Sequence, residues 1–311
     1  MVNDGRPSPS GHYSPLRYPG GKGKLARFVA DVIKVNGLQD GVYVEPYAGG
    51  AAVALELLLT GSVRRIAIND LNRPIFAFWR AVLDQSQEFI NLIRETDVNM
   101  VTRERAKRIL MQADAPSLDL GFATFFLNRT NRSGILNGGA IGGNDQSGPW
   151  KLDARYNKDA LIDRIGKISK VRKRISLTNE DAINFINRVE PTWPDKTLVY
   201  LDPPYYEKGR DLYYNFYKHD DHANVAYATH NMKRVRWIVS YDDVAPIHSL
   251  YDRSKCLQYT IGYSARTRSR GTEAMFFSPG LAIPQVRGSM VEVSRSDDAQ
   301  PARTEPLQKV G

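Results

Sequence analysis

The chain has 311 residues, of which 42% are hydrophobic, and a formal net charge of +9. This length suffices for one large domain or two small ones, and since no apolar run approaches about 18 residues, no membrane span is expected. The single cysteine, Cys256, excludes an intrachain disulfide and favours a reducing cytoplasm.

Most of the positive charge lies in one internal block. Residues 103–174 hold 15 Lys or Arg against 7 Asp or Glu, a local excess of +8, whereas residues 284–311 hold 4 of each sign. A basic block is usually a solvated surface, but an excess confined to one region is also typical of a protein that binds a polyanion.

The N-terminal region contains two different segments. Residues 1–12 are rich in Gly, Pro and Ser without an apolar core, which predicts disorder rather than a signal peptide. Residues 14–24 form a stiff, glycine-bearing entry to a helix predicted over residues 25–35. Lys22 and Lys24 lie in this entry, which could be a generic anion-binding loop. Lysines at a helix start interact unfavourably with the helix macrodipole, which slightly favours a functional reason for their presence.

The first unit of an α/β fold follows. Residues 42–44 predict a strand, residues 45–50 a tight glycine loop and residues 51–59 a helix. The loop departs from G-x-G-x-x-G, which disfavours a nicotinamide or flavin cofactor. A second strand over residues 64–68 precedes Asp70, which would either accept both hydroxyls of a ribose or cap the next helix, predicted over residues 71–82.

The middle of the chain is predicted to be helical and then irregular. Helical spacing occurs over residues 89–96, 103–113 and 120–129. Residues 128–156 are dominated by Gly, Asn and Asp, which predicts a long loop or irregular hairpin of the kind that is usually functional or disordered. Ile141 and Trp150 argue against disorder.

The remaining elements complete the sheet. They are a basic helix over residues 158–172, strands over 174–178, 198–201 and 237–241, a helix from Ala182, and a terminal hairpin of residues 256–261 and 273–278. Asp181 follows the third strand, as a helix cap or a ligand-binding carboxylate. Residues 284–311 are predicted to be disordered.

The fourth strand ends in the tetrapeptide Asp202-Pro203-Pro204-Tyr205. The prolines fix two φ angles and remove two backbone donors, so the strand cannot continue. Asp202 and the Pro203 carbonyl can accept both hydrogens of one amino group, and Tyr205 offers a flat face for a ring. An aromatic amine held in this way is an adenine or a cytosine. The alternative is an ordinary turn between a strand and a loop.

Six motifs in this order resemble those of the Dam-type DNA adenine N6-methyltransferases. They stand at residues 16–22 (Leu-Arg-Tyr-Pro-Gly-Gly-Lys), 45–51 (Glu-Pro-Tyr-Ala-Gly-Gly-Ala), 68–72 (Ile-Asn-Asp-Leu-Asn), 127–134 (Leu-Asn-Arg-Thr-Asn-Arg-Ser-Gly), 202–205 (Asp-Pro-Pro-Tyr) and 238–243 (Ile-Val-Ser-Tyr-Asp-Asp). Each is weak alone, but six in order are a specific signal.

The resemblance implies an α/β fold with a doubly wound, mostly parallel sheet of the S-adenosylmethionine-dependent, Rossmann-like type. It also implies an inserted, mainly helical DNA-recognition region. We expect a catalytic domain built from residues 13–84 and 157–283, with target recognition in residues 85–156.

The resemblance further implies S-adenosylmethionine as methyl donor, double-stranded DNA as partner, base flipping and no metal. The implied catalytic residues are Asp202, Pro203, Pro204 and Tyr205. The implied cofactor residues are Tyr18, Lys22, Glu45, Pro46, Ala48, Gly49, Gly50, Asp70, Asp181 and Asp202. The implied DNA-binding residues are Arg17, Arg129, Arg132, Asn137, Asn144, Lys151, Arg155, Arg266, Arg268 and Arg270. We expect the arginines and amides of residues 129–155, together with Gln146, to read bases, and Arg266, Arg268 and Arg270 to hold phosphates.

Several alternatives remain open at this point. Residues 148–156 depart from the Asn-x-Pro-Phe-Gly-Arg-Tyr stretch that is frequent in the family, so its commonest recognition site does not follow. The absence of a Pro-Cys dipeptide argues against methylation of a cytosine ring carbon, which needs a thiolate. Methylation of the cytosine amino group, an RNA substrate, and a non-catalytic DNA-binding protein with a degenerate fold are the rival hypotheses. A cognate restriction endonuclease is a further partner that the sequence alone does not identify.

Overall fold

The computed structural model describes residues 13–17, 22–207, 217–261, 272–288 and 290–293. Within these ranges eight strands form one sheet in the order β3-β2-β1-β4-β5-β7-β6-β8. The strands are Val42–Glu45 (β1), Arg65–Asn69 (β2), Ile175–Thr178 (β3), Thr197–Leu201 (β4), Arg236–Asp242 (β5), Lys255–Ile261 (β6), Glu273–Phe277 (β7) and Met290–Glu292 (β8). Strands β1 to β5 are parallel, and β7 pairs antiparallel with both β5 and β6. The predicted α/β fold with a mostly parallel sheet is confirmed.

Four helices of the described ranges begin where a side chain satisfies a free backbone N–H group. Asn72, Asn99, Asn157 and Asp181 each accept a hydrogen bond from the first turn that follows them. The helices are Ala26–Val35 (α1), Ala52–Leu59 (α2), Arg73–Asp84 (α3), Ser86–Glu95 (α4), Met100–Leu110 (α5), Ser117–Thr130 (α6), Lys158–Lys170 (α7), Ala182–Val189 (α8), His219–Asn231 (α9) and Ala245–Leu250 (α10). None of them is both long and apolar enough to cross a membrane.

Helices cover both faces of the sheet. Alternate residues of β4 belong to different cores: Leu198 and Tyr200 pack with side chains of α1, α2, α3 and α7, whereas Val199 and Leu201 pack with those of α8, α9 and α10. All five residues of β4 are therefore buried, as expected for a central parallel strand.

The helices between β2 and β3 form a compact subdomain on α3. Gly121 of α6 lies so close to α3 that an added Cβ would come within 2.6 Å of the Ala77 carbonyl oxygen. This close approach brings Phe78, Phe89 and Phe125 into one aromatic cluster. The end of α6 is thereby held rigidly where the irregular segment begins.

Two regions need comment against the sequence prediction. The tail from residue 284 was predicted to be disordered, which is wrong for Met290–Glu292, because this strand pairs antiparallel with β6. Only Met290 of the three is buried, so the one-sided pattern is too short to be recognised. The segment after α6 is an irregular hairpin with a single bridge between Asn131 and Ala140, as the sequence predicts.

Candidate active site

The candidate site lies at the carboxyl ends of the parallel strands, where the strand order reverses. β1 pairs with β2 on one side and with β4 on the other. Connections leave to opposite sides at this point, which opens a crevice beyond the strand ends. Glu45 ends β1 and Asp202 follows β4, so both carboxyl groups lie at this crevice.

Asp202 is held through one of its two oxygens. The Lys22 ammonium donates to Asp202 Oδ1 over 2.6 Å, and the Ser240 hydroxyl donates to the same oxygen over 2.9 Å. Within the ranges described, no donor bonds Asp202 Oδ2 or the Pro203 carbonyl. The carboxylate is fixed while its second oxygen and the neighbouring carbonyl keep their acceptor capacity.

Lys22 is the centre of a polar cluster that joins several elements. Its ammonium also donates to the Tyr205 hydroxyl over 2.7 Å and lies 3.7 Å from Glu273 Oε2. Burial alone would lower the pKa of Lys22, but the Asp202 carboxylate and nearby tyrosines outweigh burial and raise it well above its usual value. Burial raises the pKa of Asp202, and the Lys22 ammonium opposes that rise. The pair is therefore an ammonium bound to a carboxylate.

The turn after Asp202 is fixed from β5. Pro203 and Pro204 have no N–H groups, so the turn cannot be tied back at these positions. Asp242, which is 2% exposed, accepts the N–H groups of Tyr206 and Glu207, both over 2.8 Å. The tetrapeptide is consequently held by Lys22 and Ser240 before the prolines and by Asp242 after them.

The loop after β1 has the backbone geometry of a ligand-binding turn. Gly49 has φ +48°, and Ala51, which precedes α2, has φ +45°. The indole N–H of Trp79 donates to the Gly49 carbonyl over 2.8 Å, which fixes the loop against α3. The left-handed backbone at Ala51 is strained for a residue with a Cβ, and such strain is concentrated at functional sites.

Asp70 contacts this loop directly. Its Oδ2 accepts the Gly49 N–H over 2.8 Å, and its Oδ1 accepts the Asn72 N–H over 2.9 Å. Burial raises the pKa of Asp70 to about 6, against the effect of these two bonds. The alternative reading of Asp70 as the cap of the next helix is wrong, because Asn72 provides that cap.

Asn69 joins three strand ends. Its side-chain nitrogen donates to the carbonyls of Pro46 and Glu180, both over 3.0 Å, and its oxygen accepts the Glu180 N–H over 3.0 Å. The loops after β1 and β3 are thus tied to the end of β2 by one fully buried amide. The walls of the crevice are set before any ligand binds.

Glu45 is a buried carboxyl group with a strongly perturbed acidity. Its Oε1 accepts the Ala54 N–H over 3.0 Å, and burial raises its pKa to about 8. A carboxyl group in this state ionises when a cation comes next to it, so the position suits a ligand that carries a positive charge.

The other predicted cofactor residues lie at this edge or outside the described ranges. Pro46, Ala48 and Gly50 belong to the loop after β1. Asp181 caps α8, with Oδ1 accepting the N–H groups of Ile183 and Asn184. Tyr18 lies outside the described residues.

The predicted DNA-binding residues differ in their exposure and in the hydrogen bonds that they make. Arg132, Asn137, Asn144, Lys151 and Arg155 are exposed on or beside the hairpin. Arg129, at the end of α6, is half-buried and donates through Nε to the Arg155 carbonyl over 2.6 Å. Gln146 uses its amide to hold the hairpin, since it bonds the Ile141 and Gly143 carbonyls and the Leu152 N–H, so its predicted role as a base reader is wrong. Arg266, Arg268 and Arg270 lie outside the described residues.

A short N-terminal segment, residues 13–17, connects the two regions. The Ser14 hydroxyl donates to the Gly50 carbonyl over 2.5 Å. At the other end, the Arg17 N–H donates to Asn128 Oδ1 and the Asn128 amide donates to the Arg17 carbonyl, both over 2.7 Å. The loop after β1 and the end of α6 are therefore joined by four residues of chain.

Four positioning residues were not identified from the sequence: Asn69, Ser240, Asp242 and Glu273. Asn69, Ser240 and Asp242 fall inside motifs of the resemblance, but no role was assigned to them. Ser240 and Glu273 leave a further, weaker signal, since each is a polar residue beside a run of apolar residues in a strand. Such a residue is costly unless it is paired, so it points to a buried polar network.

Comparison with known proteins finds a family model, a relative in sequence and several distantly similar structures. A family model described as D12 class N6 adenine-specific DNA methyltransferase matches residues 18–263. The Type II methyltransferase M.MjaIII of Methanocaldococcus jannaschii is 22% identical over 206 residues, which span 61% of this chain and 68% of that protein. Among solved structures, the rRNA methyltransferase aviRa of Streptomyces viridochromogenes aligns at a TM-score of 0.35 and 13% identity, over 88% of this chain and 87% of that one. A SAM-dependent methyltransferase of Neisseria gonorrhoeae aligns at 0.33 and 11% identity, over 85% and 71%.

Proposed function

Because the chain belongs to the D12 class N6 adenine-specific DNA methyltransferase family, we propose that it methylates an adenine flipped out of duplex DNA, with S-adenosylmethionine as donor. The observation that carries this proposal is Asp202. Its Oδ1 is occupied by Lys22 and Ser240, while Oδ2 and the adjacent Pro203 carbonyl are directed to no described donor.

The residues of the crevice fit S-adenosylmethionine. This cofactor supplies a methyl group activated by a sulfonium. Glu45, whose pKa burial raises to about 8, suits the cationic amino group of the methionine part. Asp70 suits the ribose, because each of its oxygens has used one of two acceptor sites. Gly49 and Gly50 let the backbone approach the ligand closely. Tyr18, Pro46, Ala48 and Asp181 complete the proposed cofactor set, and Lys22 acts on it through Asp202.

The target base is held by the tetrapeptide. Flipping costs a few kcal/mol and exposes the amino edge of adenine. In the proposed arrangement the two amino hydrogens are donated to Asp202 Oδ2 and the Pro203 carbonyl, while the ring stacks on Tyr205. Lys22 orients both sides of this site, because it bonds the Asp202 carboxylate and the Tyr205 hydroxyl together.

The chemistry follows from what these acceptors do to the amino group. The adenine lone pair is delocalised into the ring, which makes the nitrogen a poor nucleophile. Two fixed acceptors favour a pyramidal nitrogen and stabilise the positive charge that grows on it as the N–C bond forms and the C–S bond breaks. The nitrogen then gives up one proton, and Asp202 stands beside it to receive the proton.

Recognition of the duplex is assigned to the inserted region, residues 85–156. Arg132, Asn137 and Asn144 are exposed on the hairpin, where arginine can pair with guanine and asparagine with adenine in the major groove. M.MjaIII is named a Type II methyltransferase, which supports a restriction endonuclease as a further partner of this chain.

Nucleoside analysis tests the proposal. Purified protein is incubated with duplex DNA and methyl-labelled S-adenosylmethionine, and the digested nucleosides are identified by mass spectrometry. N6-methyladenine is expected, and the Asp202→Asn variant should form almost none. Label in cytosine, or equal label with Asp202→Asn, would contradict the proposal. Long-read mapping of DNA from expressing cells then gives the recognition sequence.

A further inference from the structure

Four arginines gather where the N-terminal segment meets the end of α6 and the start of α7. Arg17 ends the N-terminal segment, Arg129 lies in the last turn of α6, Arg155 precedes α7 and Arg164 belongs to α7. The charges of Arg17, Arg164 and Arg155 all act on Arg129, which lies among them. We call these four residues the arginine cluster.

The hydrogen bonds of the cluster go to backbone carbonyls. Arg17 donates to the Asn131 carbonyl over 3.1 Å, Arg129 to the Arg155 carbonyl over 2.6 Å, and Arg164 to the Ser14 carbonyl over 3.0 Å. These bonds position three of the four guanidinium groups without neutralising them, whereas the exposed Arg155 side chain makes no hydrogen bond to the described residues. The cluster is therefore partly preorganised and still charged.

No carboxylate of the described ranges lies within ion-pairing distance of the cluster. Asp163, next to Arg164 in sequence, pairs with Lys167 over 2.7 Å, and its charge acts on Arg164 only from beyond ion-pairing distance. Arg172 and Arg188, by contrast, are paired with Asp84 and Glu180. Arg73 and Arg174 also bond backbone carbonyls, so the close grouping of four guanidinium groups, and not the carbonyl bonds alone, distinguishes the cluster. Burial and the three neighbouring guanidinium groups lower the pKa of Arg129 to about 9, which marks the cost of keeping it charged there.

Repulsion among fixed like charges is relieved by an anion. A phosphodiester offers two charged oxygens, and guanidinium groups bind phosphate oxygens through paired hydrogen bonds. Arg17 is five residues before Lys22, so their Cα atoms are at most about 18 Å apart. An anion on the cluster therefore lies within a few nucleotides of a base held at Asp202.

We propose that Arg17, Arg129, Arg155 and Arg164 together bind a backbone phosphate of the DNA near the target nucleotide. This inference rests on the proposed function, since it takes duplex DNA as the ligand. It changes the role expected for Arg129 and Arg155, which become phosphate ligands instead of base readers, and it leaves base reading to Arg132, Asn137 and Asn144.

Neutral phosphate analogues test the assignment. Duplexes that carry a single methylphosphonate at successive positions across a site located by footprinting of the bound protein, and so chosen without reference to methylation, are bound to the wild-type protein and to Arg155→Gln. The matched control is Arg236→Gln, which removes an exposed charge at the amino end of β5, whereas the candidate site lies at the carboxyl ends of the parallel strands. Affinity is measured by fluorescence anisotropy over a range of salt concentrations.

The wild type should lose about tenfold in affinity at one or two adjacent linkages, and Arg155→Gln should lose much less at those same linkages. On unmodified DNA, Arg155→Gln should bind more weakly by a similar factor for all sequences, with a salt slope reduced by about one. Arg236→Gln should behave as wild type. Equal methylphosphonate losses in wild type and Arg155→Gln would overturn the proposal, as would a loss in Arg155→Gln that depends on base sequence.

Stability of the free protein separates a ligand site from a structural one. The carbonyl of Arg155, not its side chain, holds Arg129, so Arg155→Gln keeps that bond and relieves repulsion. Its melting temperature should stay equal to that of the wild type or rise, and a clear fall would mean a structural role. If inorganic phosphate saturates the cluster while no linkage shows coupling, the ligand is a free anion and the assignment to DNA fails.

The two proposals fail independently. The methylphosphonate experiment measures DNA binding alone, and the nucleoside analysis measures the methylation reaction alone. N6-methyladenine without coupling at Arg155 would overturn only the phosphate site, whereas coupling without N6-methyladenine would overturn only the proposed reaction.

Discussion

The carboxyl edge of the sheet and the arginine cluster differ in whether their charged side chains are paired within the protein. At the sheet edge, Lys22 is bonded to Asp202 and Tyr205 and lies near Glu273. In the cluster, the guanidinium groups bond only carbonyls among the described residues. Paired groups hold a geometry without a ligand, whereas unpaired groups gain their counter-charge when a ligand arrives. The first arrangement suits chemistry, which needs fixed positions, and the second suits binding of a polyanion.

The largest expected effect is that of Asp202→Asn. This change keeps the shape of the side chain but removes the charge that would stabilise the growing cation, so turnover should fall by about 10³-fold. Cofactor affinity should change little, as measured by calorimetry. Asp243→Asn is the matched control, because Asp243 follows the same edge but bonds His248 and Gln258. Near-wild-type turnover by Asp202→Asn would remove this carboxylate from the mechanism.

Asp70→Ala should weaken binding of S-adenosylmethionine by roughly 1–3 kcal/mol, because hydrogen bonds to a charged acceptor are lost. The bond that positions Gly49 is lost as well. Asn99→Ala serves for comparison, since it removes the cap of α5 and should lower the free energy of unfolding by about 1 kcal/mol. If Asn99→Ala weakened cofactor binding as much as Asp70→Ala did, the ribose assignment would lose its basis.

Glu45 should make cofactor affinity depend on pH. With a pKa of about 8, its carboxyl is protonated in the free protein at lower pH and must release that proton beside a cationic ligand. The dissociation constant should therefore rise by up to about tenfold for each pH unit below 8, and Glu45→Gln should bind weakly without this slope. Calorimetry between pH 6 and 7.5 checks this. A wild type with no slope there would argue against the contact.

The raised pKa of Glu45 also affects the stability of the free protein. The folded state holds the proton up to about pH 8, while the unfolded chain releases it near the ordinary value of 4.5. Stability should consequently fall as pH rises between these values, and Glu45→Gln should flatten that fall. Urea unfolding at several pH values measures it, and an identical pH dependence in the two proteins would show that Glu45 is not buried as a neutral acid.

The smallest effect should be that of Arg132→Gln. Its Nε bonds the Ala140 carbonyl over 3.3 Å, which leaves its terminal nitrogens exposed on the hairpin. Discrimination should relax by about tenfold at one or two base positions, with turnover on the preferred site nearly kept. Methylome mapping reads the change directly. A uniform loss over all sequences, like that expected of Arg155→Gln, would erase the distinction between the two groups of arginines.

The sequence predicted the parts of this fold that depend on local patterns. The buried run of β4 and the two prolines after it place Asp202 at a strand end without knowledge of any neighbour. The other parallel strands were predicted in the same way, from short apolar runs that end at polar residues. The short strand β8 escaped prediction, because three residues with one buried side chain carry no readable period.

The contacts within the site depend on pairing between distant strands, which no local pattern sets. Ser240 reaches Asp202 because β5 lies beside β4, and Glu273 approaches Lys22 because β7 inserts between β5 and β6. Asp70 was expected to face a ligand, and its bond to the Gly49 N–H depends on the path of a loop. The resemblance to a family predicted which residues form the site, and only the sheet topology shows which of them bond to one another.

The bridge from Ser14 to Arg17 has a consequence for the order of events. Ser14 is hydrogen-bonded to Gly50 in the proposed cofactor loop. Arg17 exchanges two hydrogen bonds with Asn128, three residues before the start of the hairpin. We expect a displacement of that loop to be passed through these four residues to the region proposed to meet DNA. By thermodynamic reciprocity, whatever factor a bound cofactor contributes to affinity for DNA, bound DNA must return to the affinity for the cofactor.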